Sequence, residues 1–142
     1  MRMKPIIGIV VLAVLTAVWY AIPRPLVGSS YKLDYVEYHG ETIDFHDECS
    51  RAEREEIEAL LRTYKRSAVP VPFRRWFGDD YIHLTGGDGH RPLHILLSDG
   101  GGGGKTCYRL YSSAEKGGYT IRDGESLRAA LEKCWRSKRG DI

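Results

Sequence analysis

Cysteine is scarce in this chain: Cys49, Cys107 and Cys134 are three among 142 residues. That number excludes a disulfide-stapled scaffold and leaves room for one bridge and one thiol. Net charge is also missing, with 21 Lys and Arg against 19 Asp and Glu. Setting aside Arg2, Lys4 and Arg24 leaves 18 basic residues against the same 19 acidic ones. A chain so balanced lacks the broad positive surface that phosphate backbones need, so nucleic acid is not expected as a main partner. Arg136, Lys138 and Arg139 near the end read as solvated helix-end cations. There is no Gly-x-Ser-x-Gly elbow, no His-Glu-x-x-His pair, no two-cysteine metal knuckle and no internal repeat.

Long apolar runs are absent too, with one exception. Pro5 to Ile22 contains no charged residue, Arg2 and Lys4 precede it, and Arg24 follows. About 20 apolar residues in a helix match about 30 Å of hydrocarbon. A cleaved signal peptide has a shorter apolar region of about 7–15 residues and small residues at its cleavage site. Here cleavage after Ala21 would place Trp19 where a small residue is wanted. No cysteine lies near the run to accept a lipid. Trp19 and Tyr20 at its far end suit the membrane interface. The segment is therefore read as an uncleaved signal-anchor. The charges ahead of it favour a cytoplasmic N-terminus and a domain in the periplasm or outside the cell. The organisation expected is residues 1–4 as the cytoplasmic leader, 5–22 as the transmembrane helix, 23–30 as a spacer and 31–142 as one extracytoplasmic domain. The remaining length suffices for a single domain.

Within that domain, Tyr31–Tyr38 and Thr42–Phe45 read as strands around a His39-Gly40-Glu41 turn. Ser50 and Glu53 form a capping box, and Ile57, Leu60, Leu61 and Tyr64 repeat at helical spacing, which predicts a helix from Arg51 to about Arg66. Pro70 and Pro72 end it. A meander follows: Tyr81–Thr85, a reversal at Gly86–Gly89, Leu93–Leu97, Thr106–Tyr111 and Tyr119–Arg122. In the last helix Leu127, Ala130, Leu131, Cys134 and Trp135 make one apolar stripe. The expected fold is α+β, with an N-terminal transmembrane helix and two amphipathic helices packed on a mostly antiparallel sheet. If those helices are antiparallel, Cys49 and Cys134 are the favoured disulfide pair.

Four places could carry chemistry. Asp99 to Thr106 ends Gly-Lys-Thr, but an aspartate replaces the first glycine and strand-forming residues follow where a phosphate loop needs a helix, so no nucleotide or other cofactor is expected. A turn centred on Asp88-Gly89 would set His83 directly across from His94, the start of a two-histidine metal site. The plainer reading is a polar sheet face. His46-Asp47-Glu48-Cys49 sets a thiol at a helix start, where it could act as a nucleophile, beside the simpler reading of a structural cysteine. Phe73, Arg74, Arg75 and Trp76 lie in a proline-bounded segment of the residue types enriched at binding hot spots. They could equally cover one end of the core.

No assembled catalytic set emerges. The function expected is a non-catalytic binding module tethered to a bilayer by residues 5–22, holding or inhibiting a protein partner as an immunity-type or envelope-assembly factor. The alternative is a small envelope enzyme or metal-binding protein using His83, His94 and Cys49.

Overall fold

The computed structural model describes residues 3–39, 44–48, 50–72, 81–98, 107–112 and 117–139. The chain begins with α1 (Met3–Ala21), 19 residues with none buried. At about 1.5 Å per residue it is some 28 Å long, and it is long and apolar enough to cross a membrane. Two residues later β1 (Arg24–Pro25) starts, followed by β2 (Tyr31–His39), β3 (Asp44–Glu48) and α2 (Arg51–Leu61). Then come β4 (Lys65–Arg66), β5 (Val71–Pro72), β6 (Tyr81–Asp88), β7 (Arg91–Ser98), β8 (Cys107–Tyr111), β9 (Gly117–Thr120) and α3 (Gly124–Arg139).

The fold is α+β. Among the described residues one sheet runs in the order β3-β2-β6-β7-β8-β9-β5, a separate small ladder joins β1 to β4, and every pairing is antiparallel. Side chains alternate across a strand, so Val36, Tyr38, Ile82, Leu84, Ile95, Leu97 and Leu110 share one face. They are buried in one cluster with Ile57 and Leu61 of α2 and Leu127, Leu131 and Trp135 of α3. Trp135 meets the Tyr38 ring edge-on, at a centroid separation of 6.1 Å.

One side chain from each of α2 and α3 hydrogen-bonds a strand backbone group. The pairing of β2 with β6 slips between Leu33 and Tyr35. A slip of this kind leaves backbone groups without a ladder partner, and the Leu33 amide donates instead to Glu58 Oε1, at 2.9 Å. On α3 the buried Arg128 donates to the Leu97 carbonyl at 2.7 Å.

Several boundaries differ from the sequence expectation. Ser50 caps α2 as anticipated, its hydroxyl accepting from the Glu53 amide at 3.3 Å. The helix ends at Leu61 rather than near Arg66, because the next residues are used in extended form. The Tyr64 carbonyl accepts from the Leu26 amide at 2.9 Å, and Lys65 and Arg66 pair with Pro25 and Arg24. Residues 23–30, read as a spacer, thus include a paired strand, and Leu26 and Val27 are buried in the core. Gly86 and Gly87 belong to β6, and the reversal is Gly89-His90, with Gly89 at φ 65°. A glycine first in a two-residue turn supplies the positive φ that hairpins need.

Candidate functional site

The sheet face opposite that cluster carries the polar side chains of interest. Asp88 pairs with Arg91, which sets His83 across from Leu96 and Thr85 across from His94. The expected direct pairing of His83 with His94 therefore does not occur. The turn lies one residue later than anticipated, so the register moves by two. A shift of two keeps every side chain on its face, so the histidines remain diagonal neighbours. Their rings stack with centroids 5.2 Å apart and planes 14° from parallel.

Two strands add partners that sequence reading did not find. Glu37 on β2 lies directly across from His83, its Oε2 3.6 Å from His83 Nδ1. That is an electrostatic contact, longer than a hydrogen bond. Tyr81 donates to the same carboxylate at 2.9 Å. Tyr111 on β8 lies across from His94 and stacks on it with centroids 5.0 Å apart. The Tyr111 hydroxyl is 3.1 Å from His83 Nε2. Thr85 Oγ1 stands 3.4 Å from His94 Nδ1.

The result is a chain of polar groups: Tyr81, Glu37, His83, Tyr111. A carboxylate beside Nδ1 favours the proton on that nitrogen, which leaves Nε2 to accept from the phenol. His83 is 8% exposed and Tyr111 4%. Buried polar groups need partners, and this network supplies them. Metal binding asks for lone pairs that converge on one ion. Parallel stacked rings do not aim their lone pairs at a common point, and no group of three His, Cys, Asp or Glu fit to hold a metal occurs among the described residues. Cys107, across from Ser98 on the same face, has its thiol pKa pushed up by burial, with Arg109 opposing. That makes it a poorer nucleophile at neutral pH.

A second feature is a groove of about 340 Å³ between α2 and α3, lined by Glu56, Ile57, Leu60, Ala130, Lys133 and Cys134. The Cys134 thiol donates to Glu56 Oε1 at 3.5 Å. Its expected disulfide partner, Cys49, lies outside the described residues, as do Phe73, Arg74, Arg75 and Trp76 and the Asp99–Thr106 stretch. The chain resumes after that stretch as strand β8, not as a helix.

At the end of α1, Trp19 and Tyr20 are exposed. The Arg24 guanidinium sits 4.0 Å over the Trp19 ring and donates to the Trp19 carbonyl at 3.1 Å.

No protein-family model matches this chain, and no characterised protein or solved structure shows significant similarity to it.

Proposed function

We propose that this chain is a membrane-tethered, non-catalytic binding module. Its α1 spans the bilayer with the N-terminus in the cytoplasm, and its α+β domain, with both amphipathic helices laid on one sheet face, works in the periplasm or outside the cell. One observation carries this reading: a wholly unburied apolar helix of 19 residues joins the folded domain through Ile22 and Pro23 alone. An apolar surface of that size has no reason to stay in water. A core helix would be buried, and a leader destined for removal has no need of so short a link to a strand whose next residues, Leu26 and Val27, are buried. Trp19, Tyr20 and Arg24 at its end are the residue types that favour the headgroup region.

The non-catalytic part rests on the His83 network. Its polar groups are engaged with one another and His83 and Tyr111 are buried, as a structural network requires. Phe73, Arg74, Arg75 and Trp76 are the segment proposed to meet the protein partner, and Cys49–Cys134 the proposed disulfide.

The test is fractionation of the full chain. It should stay with membranes after alkaline carbonate washing, with Met1 retained in the mass spectrum. External protease should reach the domain in spheroplasts. A freely soluble full-length chain, or one shortened by about 21 residues, would refute the tether. For the partner, Arg75→Ala with Trp76→Ala should abolish one specific crosslinked species. An unchanged crosslinking pattern would remove that surface from the reading. Bound transition metal in purified chain, lost in His83→Ala with His94→Ala, would favour the metal-binding alternative instead.

A further inference from the structure

We infer that the outer edge of β3 docks an extended segment of the protein partner, rich in lysine and arginine, as an added strand. The inference rests on the chain being a protein-binding module. The sheet ends at β3 on one side and at β5 on the other. A sheet edge offers backbone N–H and C=O groups to any strand that approaches, and proteins guard such edges with proline or by keeping them short. The β5 edge is guarded in both ways: it is Val71–Pro72 alone, and proline has no N–H to give. Strand β3 is Asp44–Glu48, five residues without proline or glycine. Its inner side pairs with Tyr35 to His39 of β2, and no strand pairs with its outer side among the described residues.

Charge selects the occupant. Asp44, Asp47 and Glu48 place three acidic residues among the five of β3. Across the inner ladder, Glu48 and Asp47 stand opposite Tyr35 and Val36, which supply no cation, and Asp44 stands opposite His39. A second copy of β3 is a poor fit. Full antiparallel overlap sets Asp44 against Glu48 at both ends, and parallel overlap in register sets each acidic residue against its own copy. Like charges directly opposite destabilise a strand pair, whereas opposite charges support it. A partner strand running antiparallel to β3 meets Glu48, Asp47, His46, Phe45 and Asp44 in turn. The matching pattern is basic, basic, polar, apolar, basic. Backbone hydrogen bonds then supply the affinity, and the side chains the specificity.

The experiment uses the full isotope-labelled chain in phosphatidylcholine nanodiscs, whose lipid carries no net charge to attract a basic peptide. The probe is the peptide Thr-Arg-Lys-Thr-Val-Lys-Thr, blocked at both ends. Two further versions carry N-methyl groups on one alternating set of residues or the other, and a last version has glutamate at each basic position. The basic peptide should shift the amides of Asp44–Glu48 saturably and slow their hydrogen exchange several-fold. One N-methylated version should bind about tenfold more weakly and the other much like the parent, because a ladder uses the N–H groups on one side of a strand. The glutamate peptide should not bind. Asp47→Lys with Glu48→Lys should reverse that preference, and where this variant loses its native spectrum the N-methylated pair decides alone. Equal binding of the two N-methylated peptides overturns the added strand, since charge alone then suffices. No shift at β3 overturns it as well. So do β3 shifts that grow with chain concentration in the absence of peptide, the mark of a second copy. None of these outcomes alters the partner crosslink of the full chain, so the docking and the binding-module reading fail separately.

Discussion

A Cβ placed on Gly86 would stand 2.6 Å from the phenolic oxygen of Tyr31, and would also overlap the Lys32 carbonyl. The Tyr31 ring lies across β6 at Gly86, which has no side chain to meet it. Gly86→Ala must push either a fully buried ring or the β2 backbone aside, and overpacking of this kind costs about 1–3 kcal/mol. Gly28→Ala is the control. Its added carbon would meet Asp88 Oδ2 at 3.4 Å, an ordinary contact. There the loss of unfolded-state freedom should leave stability unchanged or raise it by up to about 1 kcal/mol. Urea unfolding of both variants checks the contrast, and equal effects would refute the packing argument.

Tyr31 also gives the domain an alkaline limit. Burial, then the nearby charges of Asp34 and Glu58, push its pKa well above the ordinary tyrosine value. The unfolded chain releases this proton near pH 10, and the folded domain keeps it. Where the unfolded state binds fewer protons, stability falls as pH rises. The contribution is therefore fully present below about pH 10 and lost progressively above it. The Tyr31 hydroxyl has no hydrogen-bond partner among the described residues. Tyr31→Phe should thus cost little at pH 7 and flatten the fall above pH 10. Unfolding midpoints between pH 7 and 11.5 measure it, and parallel alkaline limbs for both proteins would count against it.

The Glu58 carboxylate carries the irregularity in β2. It is buried, accepts from the Leu33 amide at 2.9 Å and has Arg62 3.9 Å away. Glu58→Ala leaves a buried amide unsatisfied and removes a charged acceptor, a loss of about 1.5–3 kcal/mol. Glu58→Gln keeps an acceptor of the same length and should lose less than half of that. A Gln variant as damaged as the Ala variant would show that charge, not the amide bond, matters there.

How far the sequence carried depended on whether the information was local. Helix α3 was legible because Leu127, Leu131 and Trp135 recur at helical spacing, and all three are buried. Strands β2, β6 and β7 were legible from alternation. The end of α2 was not, since Lys65 and Arg66 are strand only because Arg24 and Pro25 pair with them from 41 residues earlier. Leu26 and Val27 are two adjacent apolar residues and carry no period. The hairpin register was two residues out because Gly86, Gly87 and Gly89 all read as reversal signals. The structure uses Gly86 for the passage of Tyr31, a non-local reason. Both histidines were found, but Glu37, Tyr81 and Tyr111 were not. Each is a single polar residue in an alternating strand, and only the register of neighbouring strands brings them to His83.

That network can be tested as structure or as chemistry. Tyr111→Phe keeps the stack on His94 and deletes the hydroxyl 3.1 Å from His83 Nε2. If the cluster is structural, a buried imidazole nitrogen losing its partner should cost about 1–3 kcal/mol. His83→Phe alone should cost a similar amount, because it strands the buried Tyr111 hydroxyl, whereas replacing both partners by apolar groups of similar shape is close to neutral. The double variant His83→Phe with Tyr111→Phe should accordingly be more stable than the sum of the two single losses predicts. A double-mutant cycle by thermal unfolding measures this coupling directly. Coupling near zero would show that the phenol and the imidazole do not depend on each other, and the reading of this face as a self-satisfied polar network would fall.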